Sequence, residues 1–174
     1  MGVENHLLSQ GSHMRNAVVY YSLTGDCALA ARMLSEGLGT DPVELVCTKP
    51  YPAKGPGKFL VGGAAASANA TPELGPVSFD AAACDLVFLV VPIWAGKPAA
   101  AFNTFLRDHD LEGKRVAYVI SSMSGNADRC AADLDAKAKG ARRVGMLSLV
   151  SPQKMDPEEL DATLASFARE VGAA

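Results

Sequence analysis

The chain has no excess of basic residues, with 16 Lys and Arg against 19 Asp and Glu, so its charge would not draw it onto nucleic acid or an anionic membrane. It has no long apolar run either. The stretch from Leu86 to Trp94 falls far short of the roughly 20 residues that a membrane-spanning helix needs. No charged-then-apolar segment opens the chain, and a cytoplasmic protein is the expectation. Histidine is scarce, at positions 6, 13 and 109 only, which makes a histidine-ligated metal site improbable. The four cysteines, Cys27, Cys47, Cys84 and Cys130, form no Cys-x-x-Cys pair, which argues against both a zinc site and a redox dithiol. Buried thiols are the simpler reading, with Cys27 set apart by its place in a loop. Aromatic residues are few, 6% of the chain, and Trp94 is the only tryptophan.

What remains is an ordinary globular composition. Residues 1 to 14 end in Gly11-Ser12-His13-Met14, the pattern of an expression scar, and show no hydrophobic period. Residues 15 to 174 are then enough for one domain that buries its own core without disulfides or a structural metal. Ala17 to Ser22 is a β-branched and aromatic run, after which Leu29, Met33, Leu34 and Leu38 follow a helical period up to Gly37 and Gly39. Val43 to Cys47 predicts a second strand, stopped by Pro50 and Pro52. Leu86 to Val91 is continuously apolar, as a central parallel strand covered on both faces should be, and Pro92 ends it. Pro98 suits the first turn of a helix that runs to Asp108. Val116 to Ser121 and Val144 to Val150 predict two more strands, Ala127 to Lys139 and Pro157 to Val171 two more helices. The stretch from Ala53 to Ala83, rich in glycine and proline, predicts only a short helix near Lys58 to Ser67. Alternation of this kind implies a doubly wound three-layer α/β fold, and five strands favour the order 2-1-3-4-5 over the six-stranded dinucleotide arrangement.

Ligands of such sheets sit beyond the carboxyl ends of the strands, where the winding reverses between the first and third. The loop after the first strand is Ser22-Leu23-Thr24-Gly25-Asp26-Cys27, which runs into a helix N-terminus. Its free backbone N–H groups would seat a phosphate monoester, with Ser22 and Thr24 adding hydroxyls. A plain turn capped by Thr24 or Asp26 is the competing reading. After the third strand comes Pro92-Ile93-Trp94-Ala95-Gly96-Lys97, where a flat ligand could stack on Trp94, or Trp94 could simply plug the core. Lys97 is either a charge at the edge of that ligand or a solvated lysine at a helix start. Ser122-Met123-Ser124-Gly125 brings a third small polar loop to the same edge. No side chain offers itself as a catalytic acid, base or nucleophile. The segment Gly55-Pro56-Gly57-Lys58 lacks the spacing of a nucleotide-binding loop, and no Gly-x-Ser-x-Gly elbow is present.

Taken together, Ser-x-Thr-Gly after strand one, Pro-x-Trp-x-Gly after strand three and Ser-x-Ser-Gly after strand four resemble the flavodoxins and small flavodoxin-like oxidoreductases. The resemblance covers nearly all of residues 14 to 171. It implies FMN as cofactor, with Ser22, Leu23, Thr24, Gly25, Asp26 and Cys27 at the phosphate. Trp94 would face the isoalloxazine, with Pro92, Ile93, Ala95, Gly96 and Lys97 on one ring edge and Ser122, Met123, Ser124 and Gly125 on the other. The function implied is electron transfer, as a carrier or a small quinone-type reductase working between a redox donor and an acceptor. Two positions depart from the pattern. Asp26 stands where asparagine is usual and Cys27 where threonine is usual, and these support an alternative, a ligand-binding or interaction module with weakened or lost FMN binding. Met123 in place of an aromatic residue would leave the outer ring face open.

Overall fold

A computed structural model describes residues 14 to 173, so the scar assigned to residues 1 to 14 lies, but for Met14, outside the described residues. The parallel strands are β1 (Asn16–Tyr20), β2 (Pro42–Glu44), β3 (Leu86–Trp94), β5 (Arg115–Ser122) and β6 (Arg142–Val150), in the order β2-β1-β3-β5-β6. This is the order 2-1-3-4-5 expected for five strands. A sixth, β4 (Lys97–Pro98), pairs antiparallel with the end of β3.

Period-two alternation along the central strands divides the core into two halves. Val87, Leu89 and Val91 of β3 and Val116, Tyr118 and Ile120 of β5 face one side, where α3 (Ala101–Asp108) and α4 (Asp128–Lys137) bury Phe102, Phe105, Cys130 and Leu134. Leu86, Phe88 and Val90 face the other, against Ala30, Ala31 and Leu34 of α1 (Asp26–Leu38) and Leu160, Leu164 and Phe167 of α5 (Pro157–Glu170). All six of those β3 side chains are wholly buried, which accounts for the unbroken apolar run in the sequence. α5 starts as its sequence dictates: the Asp156 carboxylate accepts hydrogen bonds from the N–H groups of Glu158 and Glu159, with Pro157 in the first turn.

Two expectations need correction at the end of β3. Pro92 does not end the strand. It still pairs in register with Ser121, and its carbonyl accepts from the Ala99 N–H at 3.1 Å. Beyond it, Ala95 (φ 51) and Gly96 (φ 78) make a two-residue hairpin with both central residues left-handed, which returns the chain as β4. Pro98 therefore sits in a strand, and α3 begins three positions later at Ala101. The second strand is also shorter than expected, and Cys47 instead bridges to Leu74.

The glycine- and proline-rich segment is organised from outside itself. α2 (Gly57–Ser67) is followed by Ala70 and Pro72, whose carbonyls accept from Asn103 Nδ2 at 2.8 Å and Thr104 Oγ1 at 2.6 Å on α3. At the far edge, β6 approaches α5 so closely that a Cβ on Gly145 would lie 2.5 Å from Val171 Cγ1 and 3.1 Å from Phe167 Cε2. Gly145→Ala should therefore destabilise the fold by about 1 to 3 kcal/mol, read as a lower urea midpoint at unchanged slope.

Candidate functional site

The carboxyl ends of β1, β3, β5 and β6 surround a cavity of about 550 Å³. The first wall is the β1–α1 loop. Gly25 (φ 102), rather than Thr24 or Asp26, is the residue that precedes α1, and it has no side chain to cap the helix. The Ser22 hydroxyl oxygen instead accepts the Gly25 N–H at 3.1 Å. The first intrahelical bond runs from Leu29 to Gly25, so the amides of Asp26, Cys27 and Ala28 precede the helical ladder and give the loop the anion-seating character of a helix N-terminus.

The same device is built a second time across the cavity. Ser122 Oγ accepts the Gly125 N–H at 2.7 Å, with Gly125 at φ 81, so Ser-Leu-Thr-Gly and Ser-Met-Ser-Gly fold into matching turns at the ends of β1 and β5. Between them stands the Trp94 hairpin. The Trp94 ring meets Tyr21 edge-on at 5.4 Å and Tyr51 at 5.0 Å, and α2 lies over it at Gly62, where a Cβ would come within 3.2 Å of the ring. Trp94 packs on the core, and it also forms cavity wall.

Of the residues singled out in the sequence, Ser22, Leu23, Thr24, Asp26, Cys27, Pro92, Ile93, Trp94, Ala95, Ser122 and Met123 line the cavity. Gly25, Gly96, Lys97, Ser124 and Gly125 shape its loops without lining it. Gly96 lies under the Arg129 side chain, and the Lys97 ammonium donates to Asn69 Oδ1 at 3.0 Å, fastening β4 to the end of α2.

Lys58, Gly63, Ser121, Ser151, Gln153 and Lys154 also line the cavity and were not anticipated. The last three come from the turn after β6, which starts with Ser151 in left-handed backbone (φ 46) and buries Pro152. The Ser151 N–H bonds the Ser122 carbonyl at 3.1 Å, and Gln153 reaches the β1–α1 loop twice. Its backbone N–H donates to Asp26 Oδ1 at 3.0 Å, and its side-chain Nε2 donates to the Thr24 carbonyl at 2.9 Å.

The two departures noted at Asp26 and Cys27 are thereby explained. Asp26 holds the β6 turn. Cys27, in the first turn of α1, is buried, and burial and then the Asp26 carboxylate push its thiol up, opposed by a hydrogen bond with Ser121. Among the described residues no group of three His, Cys, Asp or Glu could hold a metal ion, and no helix is long and apolar enough to cross a membrane.

A family model described as Flavodoxin matches residues 15–146. Three solved structures share the fold. A flavoprotein from Lactobacillus acidophilus, in complex with FMN, is 20% identical with a TM-score of 0.69, over 78% of this chain and 93% of its own. A Bacteroides uniformis protein is 22% identical with a TM-score of 0.71, over 86% and 96%. The two-electron reduced flavodoxin of Megasphaera elsdenii is 18% identical with a TM-score of 0.53, over 87% and 98%. Among curated proteins, none matches.

All four thiols are buried and unpaired, and burial raises each, Cys130 to about 12. A thiol-reactive dye at pH 8 should accordingly label none of the four in the native protein and all four after denaturation. Ionisation is opposed only in the folded chain, so stability should fall as pH climbs past the ordinary thiol value of 9.0. Rapid native labelling of Cys27 would show that its loop opens.

Proposed function

The chain belongs to the flavodoxin family, and on that premise we propose that the cavity holds FMN and that the protein is a cytoplasmic redox protein. It would serve as an electron carrier or a small quinone-type reductase between a redox donor and an acceptor. The observation that carries this reading is the convergence of the α1 N-terminus, the Trp94 hairpin and the Ser121–Met123 segment on one cavity of about 550 Å³, a size suited to a cofactor.

The residues present fit the group. Amides of the first α1 turn, with the hydroxyls of Ser22 and Thr24, suit a phosphate. Leu23, Ile93 and Trp94 supply apolar wall for a flat ring, and Ser121 and Ser122 supply hydroxyls at its polar edge. When bound, FMN supplies the hydride and one-electron chemistry, so the chain's own task is to bind, orient and screen. The charged cavity residues are Asp26, Lys58 and Lys154.

Met123 is 78% exposed at the cavity rim, which supports access by a donor or acceptor from that side. The alternative of a module without FMN drew its support from Asp26 and Cys27. The engagement of Asp26 with Gln153 and the burial of Cys27 remove that support.

Trp94 is the single tryptophan, so its emission reports on the site alone. FMN titrated into the apoprotein should quench it in step with binding, and Trp94→Ala should weaken binding by about 1 to 3 kcal/mol, by analogy with bases stacked on aromatic side chains. Emission unchanged at saturating FMN would place the ring elsewhere.

A further inference from the structure

The turn after β6 belongs to no motif of the sequence, yet it is tied into the cavity at both of its neighbours. Ser151 donates its N–H to the Ser122 carbonyl at 3.1 Å, and Gln153 spends both its backbone and its side-chain amide on the β1–α1 loop. The fit is tight. A Cβ on Gly25 would lie 3.0 Å from Gln153 Nε2, so the glutamine side chain lies directly on the β1–α1 loop. Ser151 adopts φ 46, a left-handed conformation that serine rarely takes and that persists where its surroundings demand it.

The residue this turn delivers is Lys154. Its N–H closes the turn onto the Ser151 carbonyl at 2.8 Å, and its exposed side chain lines the cavity with no hydrogen-bond or ion-pair partner among the described residues. With Lys58 it gives the cavity two cationic side chains against one carboxylate, in a chain whose net charge is −3. The one carboxylate, Asp26, already accepts the Gln153 N–H.

We propose that Lys154 is a phosphate-binding residue of this site, and that the Asp26–Gln153 hydrogen bond is the clasp that positions it. This rests on the cavity being an FMN site and adds to it a charge-based hold on the phosphate. In this account Asp26 is not a misplaced negative charge beside an anion. It recruits a cation carried by the far edge of the sheet, which adds an ammonium to the hydroxyls of Ser22 and Thr24. A phosphate dianion held in this way is bound in a salt-dependent manner.

The test is calorimetric titration of the whole chain, freed of flavin, with FMN and with riboflavin, at low and at physiological salt. Lys154→Ala should weaken FMN binding about tenfold at low salt, with a smaller loss at high salt, while riboflavin, which lacks the phosphate, binds as it does to the wild type. Lys154→Arg should restore most of the affinity. The sign of the Asp26 variants separates a clasp from a repulsive charge: Asp26→Asn, which keeps an acceptor oxygen, should bind FMN at least as tightly as the wild type, and Asp26→Ala several-fold more weakly. Tighter binding by Asp26→Ala, or equal FMN affinity in Lys154→Ala and wild type, overturns the clasp and leaves the cofactor reading standing. A wild type that binds neither ligand overturns both.

Discussion

The parallel pairing of Val18 on β1 with Phe88 on β3 is the contact on which the site depends. It sets two strands side by side whose following segments diverge, one into α1 on one face of the sheet and the other into the Trp94 hairpin and α3 on the opposite face. A crevice must open between loops that leave in opposite directions. The pairing holds because both faces of β3 are sealed in apolar contact. Its six leading side chains are wholly buried, so a slip of one residue would exchange the two halves of the core. Rigidity at the floor of the crevice is what allows short loops to hold polar groups in place above it.

Those loops are built economically. A serine hydroxyl and a left-handed glycine make the same turn at the end of β1 and of β5, and both serines line the cavity. The hairpin between them uses Ala95 and Gly96 for its turn and Lys97 for a strut to Asn69, so that Trp94 is fixed by its hairpin, by two tyrosines and by Gly62 of α2. The turn after β6 completes the enclosure through Gln153. Binding residues placed by such a frame lose little freedom on binding, which is where preorganised sites gain affinity.

Much of this was legible in the sequence, because the signals were local and periodic. The unbroken run Leu86 to Val91 announced a central strand, and the helical spacing after Gly25 announced α1. The three small-residue loops could be located because each follows a strand. Two kinds of feature were not legible. Pro92 and Pro98 gave the usual signs of a strand end and a helix start, yet a two-residue hairpin with a left-handed alanine carried the chain on as β4; tertiary packing fixed that conformation. The contribution of Ser151, Gln153 and Lys154 depends on a hydrogen bond between residues 127 positions apart, from Gln153 to Asp26, and no local pattern encodes it. The same bond explains why Asp26 looked out of place when its loop was read alone.

The central claim is that the carboxyl-end crevice between β1 and β3 is where FMN binds. Backbone amide chemical shifts of the uniformly labelled apoprotein, followed as FMN is added, test it most directly. The account predicts that the largest shifts fall in residues 22 to 27, 93 to 96, 121 to 125 and 151 to 154, with the β2 edge and the amino ends of the strands unmoved. Shifts confined to other surfaces, or none at millimolar FMN, would contradict it.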